Sequence, residues 1–264
     1  SHGRLVPLLM ALGLGSALLT FLVVLPVLAK FAAATLPVEW ERRWGKHIAA
    51  QIVREAGRTC EAPAAQAALN GLAGRLARAA GYTGPVQVTV LPSKSVNAFA
   101  VPGGAIFVLD GLIQEARSDE ELAGVLGHEV AHVQRRHSLE RMAAQSGAVA
   151  LTAIATGDVI SPFSGAVLWL LGQSYSRDQE AEADRLGMEM LSRLGIATAP
   201  TRDLFRRMGA AAPGGGLWER LLSDHPQAEQ RIRAIPDNPG RARALADRDW
   251  KEIREMCRKT SDGS

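Results

Sequence analysis

The sequence predicts an α+β fold in which helices dominate and one small β-sheet lies among them. Helical periodicity recurs over residues 38–80 and again from residue 118 onwards, whereas short β runs are confined to residues 85–110. With 264 residues, 47% hydrophobic and 22% charged, the chain is long enough to bury a core, and wholesale disorder is excluded.

The first element is an apolar segment from Leu5 to Ala29, 25 residues without a charge, bounded by basic residues. As a helix it measures about 37 Å, enough to cross a hydrocarbon core of about 30 Å with some tilt. One transmembrane helix is therefore predicted, in preference to a cleavable signal peptide, whose apolar region usually spans about 7–15 residues. The expected organisation is an N-terminal anchor over residues 1–34 and one soluble domain over residues 35–264.

The segment after the anchor predicts two helices. Val38 to Ala56 is charged and amphipathic, and it follows a proline that ends the anchor. Trp40 and Trp44 lie one turn apart on this helix, and they suit either a membrane interface or packing into the domain. Ala64 to Ala80 is rich in alanine and leucine at helical spacing and precedes a glycine stop signal.

Three short strands follow, at Val86–Val90, Val96–Val101 and Ala105–Leu109. The first alternates apolar and polar residues, as a half-buried strand does. The last two are joined by the glycine-rich turn Pro102-Gly103-Gly104. A small sheet with a tight turn between its later strands is therefore predicted.

Capping-box signatures mark the starts of two later helices. Ser118-x-x-Glu121 precedes an apolar stripe at helical spacing, and Ser176-x-x-Gln179 opens a helix that ends near Gly195. Between them, residues 143–172 form an apolar region broken by Asp158 and a proline. Its pieces are too short to span a bilayer, so an apolar helical hairpin near the active site, buried or dipping into the membrane, is predicted. Helices at about 201–211, 226–235 and 241–258 complete the chain.

The sequence His128-Glu129-Val130-Ala131-His132 carries the chemistry. Residues four apart share one face of a helix, so both imidazoles can reach one cation, while Glu129 is turned aside by about 100° and can address a water on that cation. Zinc suits this arrangement because it accepts two histidines and a third protein ligand and keeps one position open. We therefore expect one Zn²⁺ per chain.

The third ligand is expected on another helix. The continuation after His132 lacks the Gly and His of the metzincin pattern, which leaves a downstream glutamate. The segment Glu180-Ala181-Glu182-Ala183-Asp184 offers two candidates. With Glu180 as ligand, Asp184 is one turn away and can accept a hydrogen bond from a ligand histidine. His47 and His137 are interpreted as structural or surface residues.

Four motifs in this order resemble those of the membrane-associated zinc metallopeptidases that include HtpX and the CAAX prenyl protease. They are Asn97-Ala98-Phe99-Ala100-x-Pro102-Gly103-Gly104, His128-Glu129-Val130-Ala131-His132, Ser176-Arg177-x-x-Glu180-x-x-Ala183-Asp184 and His225-Pro226-x4-Arg231-Ile232. The resemblance covers roughly residues 40–235 and implies a zincin-like metallopeptidase domain with Glu180 as third ligand. It also implies that the strand with the glycine-rich turn lies along the cleft and that His225 lies near the metal. The single anchor looks more like the periplasmic and mitochondrial-type branch.

The mechanism expected is metal-assisted peptide hydrolysis, with Glu129 as the base that later passes the proton to the leaving amine. His225 or Arg231 is the expected second donor to the developing oxyanion; His225 could instead occupy the open metal position and keep the enzyme latent. An extended substrate could add to the sheet edge near Asn97, Ala98, Phe99, Ala100 and Gly103. The alternative for this strand is an ordinary buried hairpin.

The function expected is that of a zinc metalloendopeptidase acting on unfolded or membrane and envelope proteins in quality control. The alternative is a latent or chaperone-like zinc-binding module with little proteolysis. Polypeptide substrates and membrane lipid are the expected partners, and homo-oligomerisation is left open. The net charge of +3 comes from scattered basic residues without an aromatic-interleaved stripe, so nucleic-acid binding is not predicted.

The expected location is a bacterial inner membrane with the catalytic domain in the periplasm. Basic residues after the anchor outnumber those before it and favour the opposite orientation. Cys60 and Cys257 bear on this choice because they form either one disulfide in an oxidising compartment or two unrelated buried thiols.

Overall fold

A computed structural model of the chain describes residues 35–142, 175–210 and 233–261, together with isolated positions 13, 15 and 16. The predicted anchor and the apolar hairpin at 143–172 lie outside these residues, apart from those three positions. Among the residues that the structure describes, no helix combines the length and apolar character needed to cross a membrane.

The N-terminal part contains two helices, α1 (Val38–Ala56) and α2 (Pro63–Ala79). The sequence prediction gives the bounds of α1 correctly, and α2 begins one residue early because a proline suits the first turn of a helix. Trp40 and Trp44 are 54% and 48% exposed, so packing into the domain is the wrong alternative for them. The face of α1 that packs inward carries Ile48 and Ile52 instead.

The sheet has the strand order β1 (Gln87–Leu91), β3 (Ala105–Leu109), β2 (Ala98–Ala100). β1 runs parallel to β3, and β2 runs antiparallel to it with Phe99 opposite Phe107. Between β2 and β3, a 3₁₀ turn at Pro102–Gly104 contains Gly103 at φ +83°, a conformation that glycine adopts without steric cost. The predicted middle strand at 96–101 is longer than the observed one.

The helices after the sheet are α3 (Asp110–Glu115), which the sequence prediction missed, and α4 (Asp119–Gln134). After residue 174 come α5 (Arg177–Arg193), α6 (Ala199–Ala210) and α7 (Asp247–Ser261). The last helix begins six residues later than expected. Only residues 233–235 of the helix predicted at 226–235 fall among those described.

Two apolar layers cover the two faces of the sheet. Val88, Val108 and Ala100 point to the larger layer, which includes the apolar stripes of α2 and α4. Phe99 and Phe107 point to the other face, where they stack at 5.2 Å and meet α1. Burial on both faces explains why β2 and β3 are continuous apolar runs. The sheet therefore separates α1 from the helices that carry the site.

A disulfide joins Cys60, before α2, to Cys257 on α7. Both residues are buried, at 3% and 9% exposure. The disulfide of the first alternative is therefore present, and the oxidising compartment stays a prediction. Because the bond closes a loop of 197 residues in sequence separation, it fixes the C-terminal helix against the start of the domain.

Candidate metal centre

Helix α4 places His128 and His132 on one face, four residues apart. The N-cap of the helix is Ser118, whose hydroxyl accepts a hydrogen bond from the Glu121 N–H at 3.4 Å. A full capping box would also pair the Glu121 side chain with the Ser118 N–H. This part of the prediction is wrong, because the Glu121 carboxylate accepts from the Arg117 N–H instead. The apolar stripe of α4 is buried, and the two imidazoles are only 3% and 0% exposed. Their Nε2 atoms lie 3.0 Å apart.

Helix α5 brings a carboxylate to these nitrogens. The full capping box predicted at Ser176 and Gln179 is present and starts the helix, so that Glu180 falls in its first turn. Glu180 is 0% exposed. Its Oε2 lies 3.7 Å from His128 Nε2, and its Oε1 lies 3.5 Å from His132 Nε2.

The two helices can approach so closely because glycines face each other where they cross. A Cβ on Gly187 would lie 2.9 Å from the backbone nitrogen of His128 and 3.0 Å from the Gly127 carbonyl carbon. Real Cβ atoms are rarely that close to backbone, so a larger residue at this position separates the helices. The crossing is adjacent to His128, and the spacing of the three donor atoms depends on it.

Asp184 contacts the outer nitrogen of one candidate ligand. Its Oδ1 lies 2.9 Å from His128 Nδ1, and the two side chains are 9% and 4% exposed. A carboxylate at this distance favours the tautomer with the proton on Nδ1, and the lone pair is then on Nε2, facing Glu180 and His132. This contact matches the position predicted for Asp184.

His137 contacts the outer nitrogen of the other candidate ligand. Its Nδ1 lies 2.9 Å from His132 Nδ1, and its Nε2 lies 3.3 Å from Glu182 Oε2. Burial lowers the pKa of His137 from its ordinary value, although the hydrogen bond and charge of Glu182 act in the opposite direction. Of the two alternatives for His137, a surface position is wrong, because the residue is buried at the site.

The donor set fits a divalent cation of the zinc type. In the described parts of the chain, His128, His132 and Glu180 form the group of potential metal ligands whose donor atoms all lie within 4.8 Å of one another. Two neutral imidazoles and one carboxylate in a buried position are typical of catalytic zinc sites, in which a fourth position takes water or substrate. Converging lone pairs repel one another, and a cation between them removes this repulsion.

Tyr175 links the centre to the sheet. Its ring stacks on His132 with centroids 3.9 Å apart, and the Arg141 guanidinium lies 4.0 Å from the tyrosine centroid on a cation–π contact. The Tyr175 hydroxyl is 2.8 Å from Ser138 Oγ, which donates to the Ala100 carbonyl. The position of the His132 ring is therefore coupled to strand β2.

The predicted substrate strand lies at the sheet edge, as expected, but its residues are covered. Ala98, Phe99 and Ala100 are exposed by 2% or less. Asn97 accepts the Ala98 N–H through its own side chain. Gly103 donates its N–H to Glu41 on α1 at 3.1 Å and therefore contacts the N-terminal helix. The substrate role of this strand stays a prediction.

Buried acids hold the opposite end of α4. Asp119 is 1% exposed and accepts hydrogen bonds from Arg243 at 2.9 Å and from the Leu245 N–H at 2.8 Å. Burial alone would raise the pKa of Asp119, but these hydrogen bonds outweigh it and lower the pKa below its ordinary value of 3.8. Glu121 pairs with Arg207 of α6 at 2.6 Å. The start of the helix is thus tied to the C-terminal part of the chain.

Of the remaining catalytic candidates, only Glu129 is among the residues that the structure describes. Glu129 is buried at 1% exposure beside His128 on α4. His225 and Arg231 lie outside the described residues. The sequence analysis did not predict a role for Tyr175, nor the contact between Glu182 and His137. The sequence signal for that contact was the presence of His137 five residues after His132.

Comparison with known proteins places the chain in a family. Residues 61–238 match Peptidase family M48. The chain is 31% identical over 179 residues to the mitochondrial metalloendopeptidase OMA1 of Schizosaccharomyces pombe, covering 67% of this chain and 50% of that protein. It is 34% identical over 160 residues to the metalloprotease YcaL of Escherichia coli, covering 58% and 62%. It is 27% identical over 222 residues to the beta-barrel assembly-enhancing protease of Escherichia coli, covering 79% and 45%.

The chain thus spans between 45% and 62% of the length of these relatives. The family is one of metal-dependent proteases, and the group formed by His128, His132 and Glu180 supplies the donors that such an enzyme needs. The family match covers α2, the sheet, α4, α5 and α6, which together contain all three donors. The chain therefore belongs to Peptidase family M48, a family of metalloproteases.

Proposed function

We propose that this chain is a membrane-anchored zinc endopeptidase that hydrolyses peptide bonds in unfolded polypeptides or in membrane and envelope proteins. The observation that carries the proposal is the convergence of His128 Nε2, His132 Nε2 and a Glu180 carboxylate in a buried position. Zinc bound by these three residues would supply Lewis-acid chemistry, which polarises the scissile carbonyl and acidifies water.

The protein's own part in the reaction falls to Glu129. It follows His128 on α4 and is buried, so that its carboxylate meets a reacting water without competition from bulk solvent. Glu129 takes the proton from the attacking water and later delivers it to the leaving amine. In this proposal His225 or Arg231 serves as the second donor to the oxyanion, and residues 97–100 with Gly103 receive the substrate strand.

Replacement of one carboxylate tests the proposal. Glu129→Gln keeps the shape of the side chain but removes the base, so peptide cleavage should fall by about 10²–10⁴-fold while zinc content stays near one ion per chain. Glu120→Gln, on the same helix, is the matched control and should keep full activity. The readouts are zinc content by mass spectrometry and cleavage of an unfolded casein substrate by the full chain in detergent.

Two results of that experiment would contradict the proposal. Full activity in Glu129→Gln would remove this residue from the mechanism. Absence of chelator-sensitive, zinc-restored cleavage in the wild-type chain would favour the alternative of a latent or chaperone-like zinc-binding module.

The membrane location has separate support. Trp40, Trp44 and Val38 are large apolar side chains that α1 leaves exposed, a short distance after the apolar segment at 5–29. Tryptophan is favoured where a helix meets the membrane interface. The buried Cys60–Cys257 disulfide is typical of an oxidising compartment such as the periplasm. We propose an anchor at 1–34 and a periplasmic domain at 35–264.

Fractionation of cells tests this location. The chain should stay with the membranes after alkaline carbonate extraction, and both cysteines should resist alkylation until a reductant is added. Release from the membrane would contradict the anchor. Free thiols in the untreated chain would contradict the oxidising compartment.

A further inference from the structure

The chain makes an unusual turn directly after α4. Arg136 has φ +57°, a left-handed conformation that costs free energy for any residue other than glycine. Its guanidinium is held there by Glu41 at 2.7 Å and by the Leu36 carbonyl at 2.9 Å. The turn brings the next residue, His137, back beneath the helix into a position only 3% exposed. Strain of this kind persists where the surroundings over-determine the conformation, often at a functional site.

The hydrogen-bond partners of His137 and His132 determine which ring nitrogens carry protons. Glu182 Oε2 faces His137 Nε2 at 3.3 Å, and a carboxylate can only accept, so that nitrogen carries the proton. A neutral imidazole has one N–H, so His137 Nδ1 is the acceptor. His132 Nδ1, 2.9 Å away, is then the donor. The lone pair of His132 therefore lies on Nε2, the atom that faces His128 and Glu180.

The opposite assignment is unfavourable. A doubly protonated His137 would set a second positive charge beside the cation that the proposed site holds. If a neutral His137 instead donated from Nδ1 to His132, it would turn an unprotonated Nε2 towards the Glu182 carboxylate. Two acceptors would then face each other at a site where His137 is almost wholly buried. Glu182 is itself kept in place by Arg135 at 2.7 Å, so it cannot easily turn away.

His128 and His132 thus both carry the proton on Nδ1, but different neighbours hold it there. At Nδ1, His128 meets the Asp184 carboxylate directly, whereas Nδ1 of His132 meets a second imidazole, His137, which in turn contacts the Glu182 carboxylate. Tyr175 stacks on the face of the His132 ring and restricts its tilt, but stacking does not choose between the two ring nitrogens. That choice needs an acceptor at Nδ1.

We propose that His137 is a positioning residue for the metal: as the middle member of a Glu182–His137–His132 relay, it keeps the His132 proton on Nδ1 and the lone pair of Nε2 on the metal side. The inference rests on the proposed function, because it takes these residues as the zinc site. His137 is not itself a ligand, and it acts only through His132.

The test measures zinc affinity rather than proteolysis. The full chain in detergent is stripped of metal and titrated with zinc against a chromogenic chelator at fixed pH. His137→Phe keeps an aromatic ring but removes both nitrogens, and it should weaken zinc binding by about 10–100-fold. His137→Asn places an amide oxygen near the Nδ1 position, where it can accept from His132, so its affinity should stay within about threefold of wild type. His47→Phe, on the exposed face of α1, is the matched control.

Rescue by asparagine separates positioning from packing. Wild-type affinity in His137→Phe, or equal weakening in His137→Phe and His137→Asn, would overturn the inference and leave the zinc site intact. If His137→Phe does not fold, His137→Gln replaces it, because its amide lies near the Nε2 position and cannot accept from His132; it should bind zinc more weakly than His137→Asn, and equal affinity would overturn the inference. Failure of the wild-type chain to bind zinc would overturn the proposed function and the inference together.

Discussion

The two ends of helix α4 are held by polar groups of opposite kinds. At its start, the buried acids Asp119 and Glu121 are matched by arginines, Arg243 and Arg207, so every charge has a fixed opposite charge. Towards its end, His128 and His132 converge on Glu180 with their acceptor nitrogens. The first arrangement is complete within the protein, whereas in the proposed function the second would be completed by a cation. We therefore expect substitutions at the start of the helix to change stability and substitutions near its end to change metal binding.

The largest stability effect is expected at the start of the helix. Asp119→Ala removes the acceptor for Arg243 and for the Leu245 N–H, as well as a favourable charge at the helix N-terminus. The free energy of unfolding should fall by about 2–4 kcal/mol, with zinc affinity unchanged once the protein is folded. Thermal unfolding of the full chain measures this. Asp247→Ala is the matched control, because Asp247 also pairs with Arg243 but its side chain is 87% exposed.

The same carboxylate makes the difference between wild type and Asp119→Ala depend on pH. The pKa of Asp119 in the folded protein is lowered, so its contribution is fully present above the ordinary value of 3.8 and is lost as the pH falls through the lower folded value. The gap between the two unfolding midpoints should therefore be constant near neutral pH and should shrink below about pH 4. A gap that widens in acid would contradict the assigned hydrogen bonds.

A substitution where α4 crosses α5 is expected to cost less stability than Asp119→Ala but to lower zinc affinity directly. Gly187→Ala places a Cβ against the backbone of Gly127 and His128, so α4 and α5 must separate. Stability should fall by about 1–3 kcal/mol, and zinc affinity should fall as well because the ligands come from both helices. Chelator competition and thermal unfolding on the same sample measure the two effects.

The matched control for this substitution is Gly71→Ala on α2. No atom lies within 4 Å of its added Cβ, so the change should stabilise the protein by about 0.5–1 kcal/mol through helix propensity alone. Unchanged zinc affinity in Gly187→Ala would show that the ligand spacing does not depend on the glycine crossing.

Features of the fold and of the site that depend on residues close together in sequence could be predicted. The bounds of α1, the caps at Ser118 and Ser176, and the pairing of His128 with His132 all follow from helical periodicity and spacing. Glu180 could be proposed because the motif demands a third ligand from elsewhere in the chain. Each of these inferences uses residues that are close together or a chemical requirement that few residues satisfy.

The rest depends on contacts between distant segments. Periodicity does not reveal that Gly127 meets Gly187, nor that Asp119 is paired with Arg243, 124 residues later. The placement of His137 depends on the left-handed backbone of Arg136, which Glu41 of a different helix stabilises. The exposure of Trp40 likewise follows from which face of α1 meets the sheet.

Glu180 is proposed to hold one metal ion together with His128 and His132, and Glu180→Gln tests whether that ion makes the chain a protease. Zinc content and casein cleavage are measured on the same dialysed sample, with Glu189→Gln, an exposed residue of α5 paired with Arg185, as control. Glu180→Gln should lose zinc and cleavage together, while its zinc-free fold should melt like the zinc-free wild type. A Glu180→Gln protein that keeps its zinc and still cleaves casein would show that Glu180 is not a ligand of a catalytic metal.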